Sequence, residues 1–195
     1  MTAETIEDIW SRTRGRDWTW ADLQQIHDDG HRYEIIDGSL YVSPSPSRPH
    51  QIAAGRIVRL LADAAPDHLE VVATVDVEMD RSVLEPDVVV LPAELAYRTG
   101  GPLTPADVLL AVEVSPSSRR MDRLVKPAVL AEAGVPAYWR VELEGAGTPS
   151  VTVYELAGVA YREVTTVAVG SVAVVARPFR VELRPAELAG PRRRG

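Results

Sequence analysis

Two carboxylates stand at the ends of two short apolar runs. Asp87 opens Val88-Val89-Val90-Leu91 after Glu85-Pro86, and Glu113 nearly closes the run from Val108 to Val114. Runs of this kind make core strands, and a carboxylate there costs burial free energy unless something compensates it. If the two runs pair antiparallel, the start of the first lies beside the end of the second. Directly opposed residues then have Cβ atoms roughly 4.5–5.5 Å apart. Two carboxylates at that spacing can hold one divalent cation. A cationic segment follows at once, from Ser115 through Arg119, Arg120 and Arg123 to Lys126. Acid, acid and then lysine are the materials of metal-dependent phosphodiester hydrolysis.

The elements around these residues have to place them. The chain has 195 residues, 46% of them hydrophobic, which suits one well-buried domain over 1–190 and a basic, disordered tail over 191–195. Cysteine is absent, so disulfides and thiolate metal sites are excluded. The first residues are acidic and lack a signal-peptide core, and no run is long enough to span a membrane. The expected location is the cytoplasm, with no membrane partner. The formal net charge of −7 argues against a protein that coats nucleic acid, because such affinity comes from Lys and Arg neutralising phosphates. A nuclease on this chain needs a local basic groove.

Along the chain, Thr19 and Asp22 form a helix-start pattern for a helix ending near Gly30. Asp37-Gly38, between Tyr33–Ile36 and Ser39–Val42, predicts a hairpin. A Pro/Ser loop over 43–49 leads into a helix over 50–64. Residues 69–79 read as one strand and 80–85 as a turn, with Asp76 and Glu78 either supporting the site or facing solvent. The connector 92–107 is long for a hairpin, so it carries a helical turn or a flexible lid. Ser117 or Ser118 caps a helix reaching Ala133, before Gly134 and Pro136. Pro127 requires either a kink or a late start near Lys126. Residues 137–141 form a strand, 150–156 and 159–167 a hairpin, and short strands follow to Leu183 before a helical turn at 185–188.

The order helix, three strands, helix, strand, with acids on the second and third strands, resembles the PD-(D/E)XK nuclease fold. The residues resemble more closely the Uma-two family of restriction endonuclease-like proteins. The likeness rests on Tyr33-Glu34-Ile35-Ile36-Asp37-Gly38, on Pro44 with His50, and on Pro86-Asp87-Val88-Val89-Val90. It continues through Glu113-Val114-Ser115-Pro116-Ser117-Ser118, Asp122 with Lys126, and Gly134-Val135-Pro136-Ala137-Tyr138-Trp139. The resemblance implies an α/β fold of the mixed-sheet α+β kind: a restriction-endonuclease-like αβββαβ core with added N-terminal and C-terminal β-hairpins. It also implies Mg²⁺, with Mn²⁺ as a substitute, on Asp87 and Glu113, and DNA as the substrate of an endonuclease. Glu34 would complete the acidic shell directly or through water. The superfamily's lysine two residues after the glutamate is absent, since that position is Ser115. Lys126, on the next helix, is the nominated replacement, because a lysine ammonium acts as a point charge on a long stem. His50 and Ser115 are candidates for phosphate contact or for support of the acids. Duplex cleavage would favour a homodimer.

Each assignment has a plainer counterpart. Asp87 could be a solvated strand start, Glu113 an edge residue, Lys126 a surface helix residue and His50 a cap. Glu34 could pair with Arg32. The tryptophans and Tyr138 read as packing, and Arg119, Arg120, Asp122 and Arg123 as a salt-bridged face. The rival to a nuclease is a catalytically degenerate fold that binds nucleic acid or regulates. A glycosidase built on the acid pair is a third reading, disfavoured by a short chain with 6% aromatic residues.

Overall fold

The computed structural model describes Thr13 and residues 15–115 and 121–190. Its centre is a mixed sheet of six strands in the order β10-β9-β8-β7-β6-β3. These are β3 (Leu69–Ala73), β6 (Val88–Pro92), β7 (Leu110–Ser115), β8 (Ala137–Glu142), β9 (Ser150–Ala157) and β10 (Ala160–Val167). All neighbours run antiparallel except β7 and β8. A parallel pair needs a crossover, usually helical. Here it contains a π-helical turn, Met121–Val125, and then helix α4 (Lys126–Glu132). A crossover leaving the end of β7 starts its helix near that end, which sets Lys126 close to Glu113.

Helix α2 (Arg48–Ala64) covers one face of this sheet through Ala53, Ile57 and Leu61. Their four-residue spacing makes one stripe. Full burial of Ile57 or Leu61 is worth about 1.5–3 kcal/mol each. On the other face, Leu130 of α4 packs with Val89, Ala111 and Tyr138. The second sheet lies on that side too, in the order β2-β1-β5-β4. It comprises β1 (His31–Ile36), β2 (Ser39–Pro44), β4 (Val77–Met79) and β5 (Ser82–Leu84). Strand β1 alternates cleanly: Ile36 joins the central core, whereas Tyr33 and Ile35 pack outward with Trp18, Leu23 and Val83. Arg32 and Glu34 share the parity of Ile36, so β1 presents both toward the main sheet.

The β1–β2 hairpin forms over Asp37-Gly38 as expected, with Ile36 opposite Ser39. The β9–β10 hairpin, the pair β11 (Ala173–Val175) and β12 (Val181–Leu183), and the turn Pro185–Glu187 also form.

Three expectations need correction. The helix from Thr19 is one turn, α1 (Trp20–Leu23), although Asp22 does accept from the Thr19 N–H and hydroxyl. Only Asp22 and Leu23 of that turn are buried, so packing never offsets the cost of extending it. The strand over 69–79 breaks at Thr74, whose φ is 49°, and β4 leaves for the other sheet. The turn at 80–85 contains β5, buried along its whole length against β1 and β4. The connector 92–107 carries helix α3 (Ala93–Ala96) and a 3₁₀ turn, Pro105–Asp107. It is pinned to β4, with Leu103 N–H donating to Asp76 O and Glu78 N–H to Leu103 O, both at 2.8 Å. The chain past β7 takes the late start: the α-helix begins at Lys126, and Gly134 follows it with a φ of 91°.

Candidate active site

Strands β6 and β7 pair Val88 with Val112, Val89 with Ala111 and Val90 with Leu110. One more step of this register sets Asp87 opposite Glu113. The strands are also joined at this end by a side chain, for Val114 N–H donates to Asp87 Oδ2 at 2.7 Å. Glu113 shares the parity of Ala111, so it points to the α4 face. There Lys126 Nζ lies 3.3 Å from Glu113 Oε1 and 2.8 Å from Glu34 Oε2. Glu34 Oε1 also accepts from Glu85 N–H at 3.0 Å. These groups are deeply placed: Asp87 is 1% exposed, Glu113 2%, Glu34 4% and Lys126 5%. The plainer readings of a solvated strand start, an edge acid and a surface lysine therefore do not describe them.

Asp87 carries a second set of partners. Arg32 Nη1 reaches Asp87 Oδ1 at 2.8 Å, and His50 Nε2 reaches Oδ2 at 3.0 Å. His50 comes from the first turn of α2, where its N–H faces the Ser47 hydroxyl at 3.5 Å. Arg32 thus pairs with Asp87, and not with Glu34 across the strand; its Nε stands 3.8 Å from Glu85 Oε1. Sequence reasoning gave Arg32 and Glu85 no part in the site. The available signal was the period of two along β1, which puts Arg32 on the face of Glu34.

Burial opposes ionisation of Asp87, but the His50 hydrogen bond, the Arg32 charge and the Val114 N–H outweigh it and hold the carboxyl below its usual range. Glu85 shifts the other way. Burial pushes it up, Arg32 offsets this only in part, and Asp76, Glu34 and Asp87 add repulsion. A carboxyl depressed by folding contributes stability above its unfolded pKa, and the contribution is lost as pH falls through the folded value. The melting temperature should therefore fall steeply below about pH 4, the ordinary carboxyl range. Asp87→Asn should begin less stable and lose less between neutral and acid pH. Thermal melts of both proteins across that range check this, and parallel curves would contradict it.

A cavity of about 470 Å³ opens over these groups. Arg32, His50, Glu113 and Lys126 line it, with Pro44, Pro46 and Pro49 stiffening one wall. His50 Nδ1 and Ser115 Oγ are buried and find no hydrogen-bond partner among the described residues. Asp76 accepts from the Trp20 indole at 2.9 Å, while Glu78 is exposed. Arg123 pairs with Glu142 at 3.1 Å. Tyr138 and Trp139 are fully buried core residues, as expected of packing. Arg119, Arg120, Ser117, Ser118, the side chain of Asp122 and the tail over 191–195 lie outside the described residues.

Among the described residues, no group of three or more His, Cys, Asp or Glu side chains gathers closely enough to hold a metal ion. Mg²⁺ needs only one or two carboxylates and keeps its waters, so its fit is a question about the pair Asp87 and Glu113. Four acids, Glu34, Glu85, Asp87 and Glu113, face three basic side chains, Arg32, Lys126 and His50. A divalent cation between Asp87 and Glu113 would balance that excess with oxygen ligands, so the donor set fits.

The family model Uma2, described as "Putative restriction endonuclease", matches residues 20–188. The crystal structure of a putative nuclease belonging to DUF820, from Anabaena variabilis ATCC 29413, superposes with a TM-score of 0.65. It is 15% identical, over 88% of this chain and 97% of that chain. The likeness shows a shared fold. No curated protein matches the chain significantly. No described helix is long and apolar enough to cross a membrane.

Proposed function

This chain belongs to the Uma2 family, and we propose that it is a metal-dependent endonuclease that hydrolyses phosphodiester bonds in DNA. The observation that carries the reading is the opposition of Asp87 and Glu113 across β6 and β7, with Lys126 against Glu113 at the wall of one cavity. Mg²⁺ or Mn²⁺ on these two acids would polarise the scissile phosphate and lower the pKa of a bound water. Glu34 would hold Lys126 in place and accept a hydrogen bond from the attacking water. Lys126 would carry positive charge to where negative charge develops in the transition state. His50, in the first turn of α2, would hold Asp87 in place through Nε2. Two copies related by a two-fold axis would address both strands of a duplex.

The test is supercoiled plasmid incubated with the full chain in Mg²⁺, in Mn²⁺ and in EDTA, with RNA and single-stranded DNA alongside. Nicked circles in metal and none in EDTA are expected. Absence of cleavage in every metal, together with no heat on titrating Mn²⁺ into the protein, would overturn the reading. One observation favours a second reading, that of a binding module without turnover: both oxygens of Asp87 are already engaged, by Arg32, His50 and Val114 N–H. That module would bind DNA equally well in EDTA and never cut it.

A further inference from the structure

We propose that Arg32 is an exchangeable counter-ion that becomes a phosphate ligand. It balances Asp87 across a 2.8 Å ion pair and turns to a substrate phosphate when a divalent cation takes Asp87. The inference rests on the metal-dependent reading above.

Asp87 has two oxygens and both are occupied. Oδ1 receives Arg32, while Oδ2 receives His50 and Val114 N–H. These three donors leave one lone-pair position on the carboxylate, on Oδ1 beside Arg32, so a cation arriving there meets the guanidinium first. Val114 N–H is fixed in the backbone of β7, and His50 is held by the first turn of α2. Arg32 differs on both counts. Its guanidinium sits on a long stem, and its charge is permanent, so an arriving dication repels it. It also has somewhere to go: it is part of the cavity wall. Glu85 Oε1, 3.8 Å from Nε, keeps it near that wall.

The chemistry of guanidinium names the ligand. Arginine has five N–H donors in a planar fork. Its bond to Asp87 Oδ1 uses the Nη1 end. The fork matches the paired oxygens of a phosphate, and its charge does not titrate away. Around the cavity of this acidic chain the described cationic lining residues are Arg32 and Lys126. Lys126 is committed to Glu34 and Glu113. Arg32 is thus the lining cation that metal entry would release. Metal and nucleic acid should then bind cooperatively, and the cooperativity should run through this one side chain.

The test compares the full-length wild type with Arg32→Gln and Arg32→Lys. Calorimetry measures Mn²⁺ alone. Fluorescence anisotropy measures a labelled phosphorothioate duplex in Mn²⁺ and in EDTA. In the wild type, Mn²⁺ should tighten duplex binding about tenfold. Arg32→Gln should bind Mn²⁺ about tenfold more tightly, because the competing cation is gone, and Mn²⁺ should no longer tighten its hold on the duplex. Arg32→Lys keeps a point charge against Asp87, so its Mn²⁺ affinity should stay near wild type while the tightening weakens. A purely structural arginine would instead make Arg32→Gln weaker for both ligands. Arg32→Gln that binds Mn²⁺ no better than wild type, or keeps the full tightening, overturns the proposal. If that variant does not fold, wild-type tightening in Arg32→Lys overturns it equally. Wild type that takes no Mn²⁺ removes the metal-dependent reading and this inference together. Wild-type Mn²⁺ binding with an indifferent Arg32→Gln removes only the inference.

Discussion

Glu113→Gln should lower plasmid nicking by about a thousandfold while leaving the protein folded. The first half follows from the work assigned to the carboxylate. A metal held by Asp87 and Glu113 would supply several kcal/mol of transition-state stabilisation, and each 1.36 kcal/mol is tenfold in rate, so its loss costs on the order of 10³. The second half follows from what Glu113 touches. Glutamine has nearly the same shape, so the tight packing around β7 is kept. Lys126 retains Glu34 at 2.8 Å, its shorter ion pair. Asp87 is the less clean choice, because Asp87→Asn removes the charge nearest Arg32 and leaves the next, Glu85, 3.8 Å away. The measurement is initial nicking rate in Mn²⁺, with circular dichroism and a thermal melt on the same preparation. Mn²⁺ affinity should fall in parallel with the rate. A folded Glu113→Gln protein with near wild-type rate would show that Glu113 is a structural counter-ion of Lys126 and no more.

The opposition of these two acids was legible because it follows from short-range rules. Apolar runs of similar length, with the acid first in one and near the end of the other, pair antiparallel in one register that buries both. Glu34 was nominated through the family resemblance, for its place in the hairpin before Asp37-Gly38 does not by itself single it out. Other features depend on tertiary packing that no local pattern records. β5 has three residues, too few to show a period, and its neighbours Asp80 and Arg81 look like turn. The break at Thr74 sends β4 to a second sheet, and that sheet is what brings β1 over the strand ends of the first. Arg32 meets Asp87 only through this sheet-on-sheet contact, 55 residues away in the chain. Alternation along β1 gives its face but not its partner. Pro127 left two choices for Lys126, and the choice came from the crossover between parallel strands: the wide turn Met121–Val125 absorbs the connection, and the proline falls in the first helical turn where it does no harm.

Lys126→Met should be the most damaging substitution in the protein, because it removes a cation from between two acids. Met conserves the stem and the volume but leaves Glu34 and Glu113 buried with 4% and 2% exposure. Breaking a buried pair by deleting one partner costs about 3–5 kcal/mol. In a chain of this size 1 kcal/mol moves the melting temperature by about 2–4 °C, so a drop on the order of 10 °C is expected at neutral pH. Cleavage should also be lost, but a dead enzyme alone would not separate catalysis from collapse. Two further readings do. The destabilisation should shrink when Glu113→Gln is added to Lys126→Met, since one of the two stranded charges is then gone. Mn²⁺ should raise the melting temperature of Lys126→Met by more than it raises that of the wild type, because the metal replaces charge that the variant lacks. Adding Glu34→Gln to Lys126→Met should restore much of the stability, by deleting one of the stranded charges, and none of the cleavage. A double variant that recovers nicking would place Lys126 outside the chemistry and leave it a purely structural counter-ion.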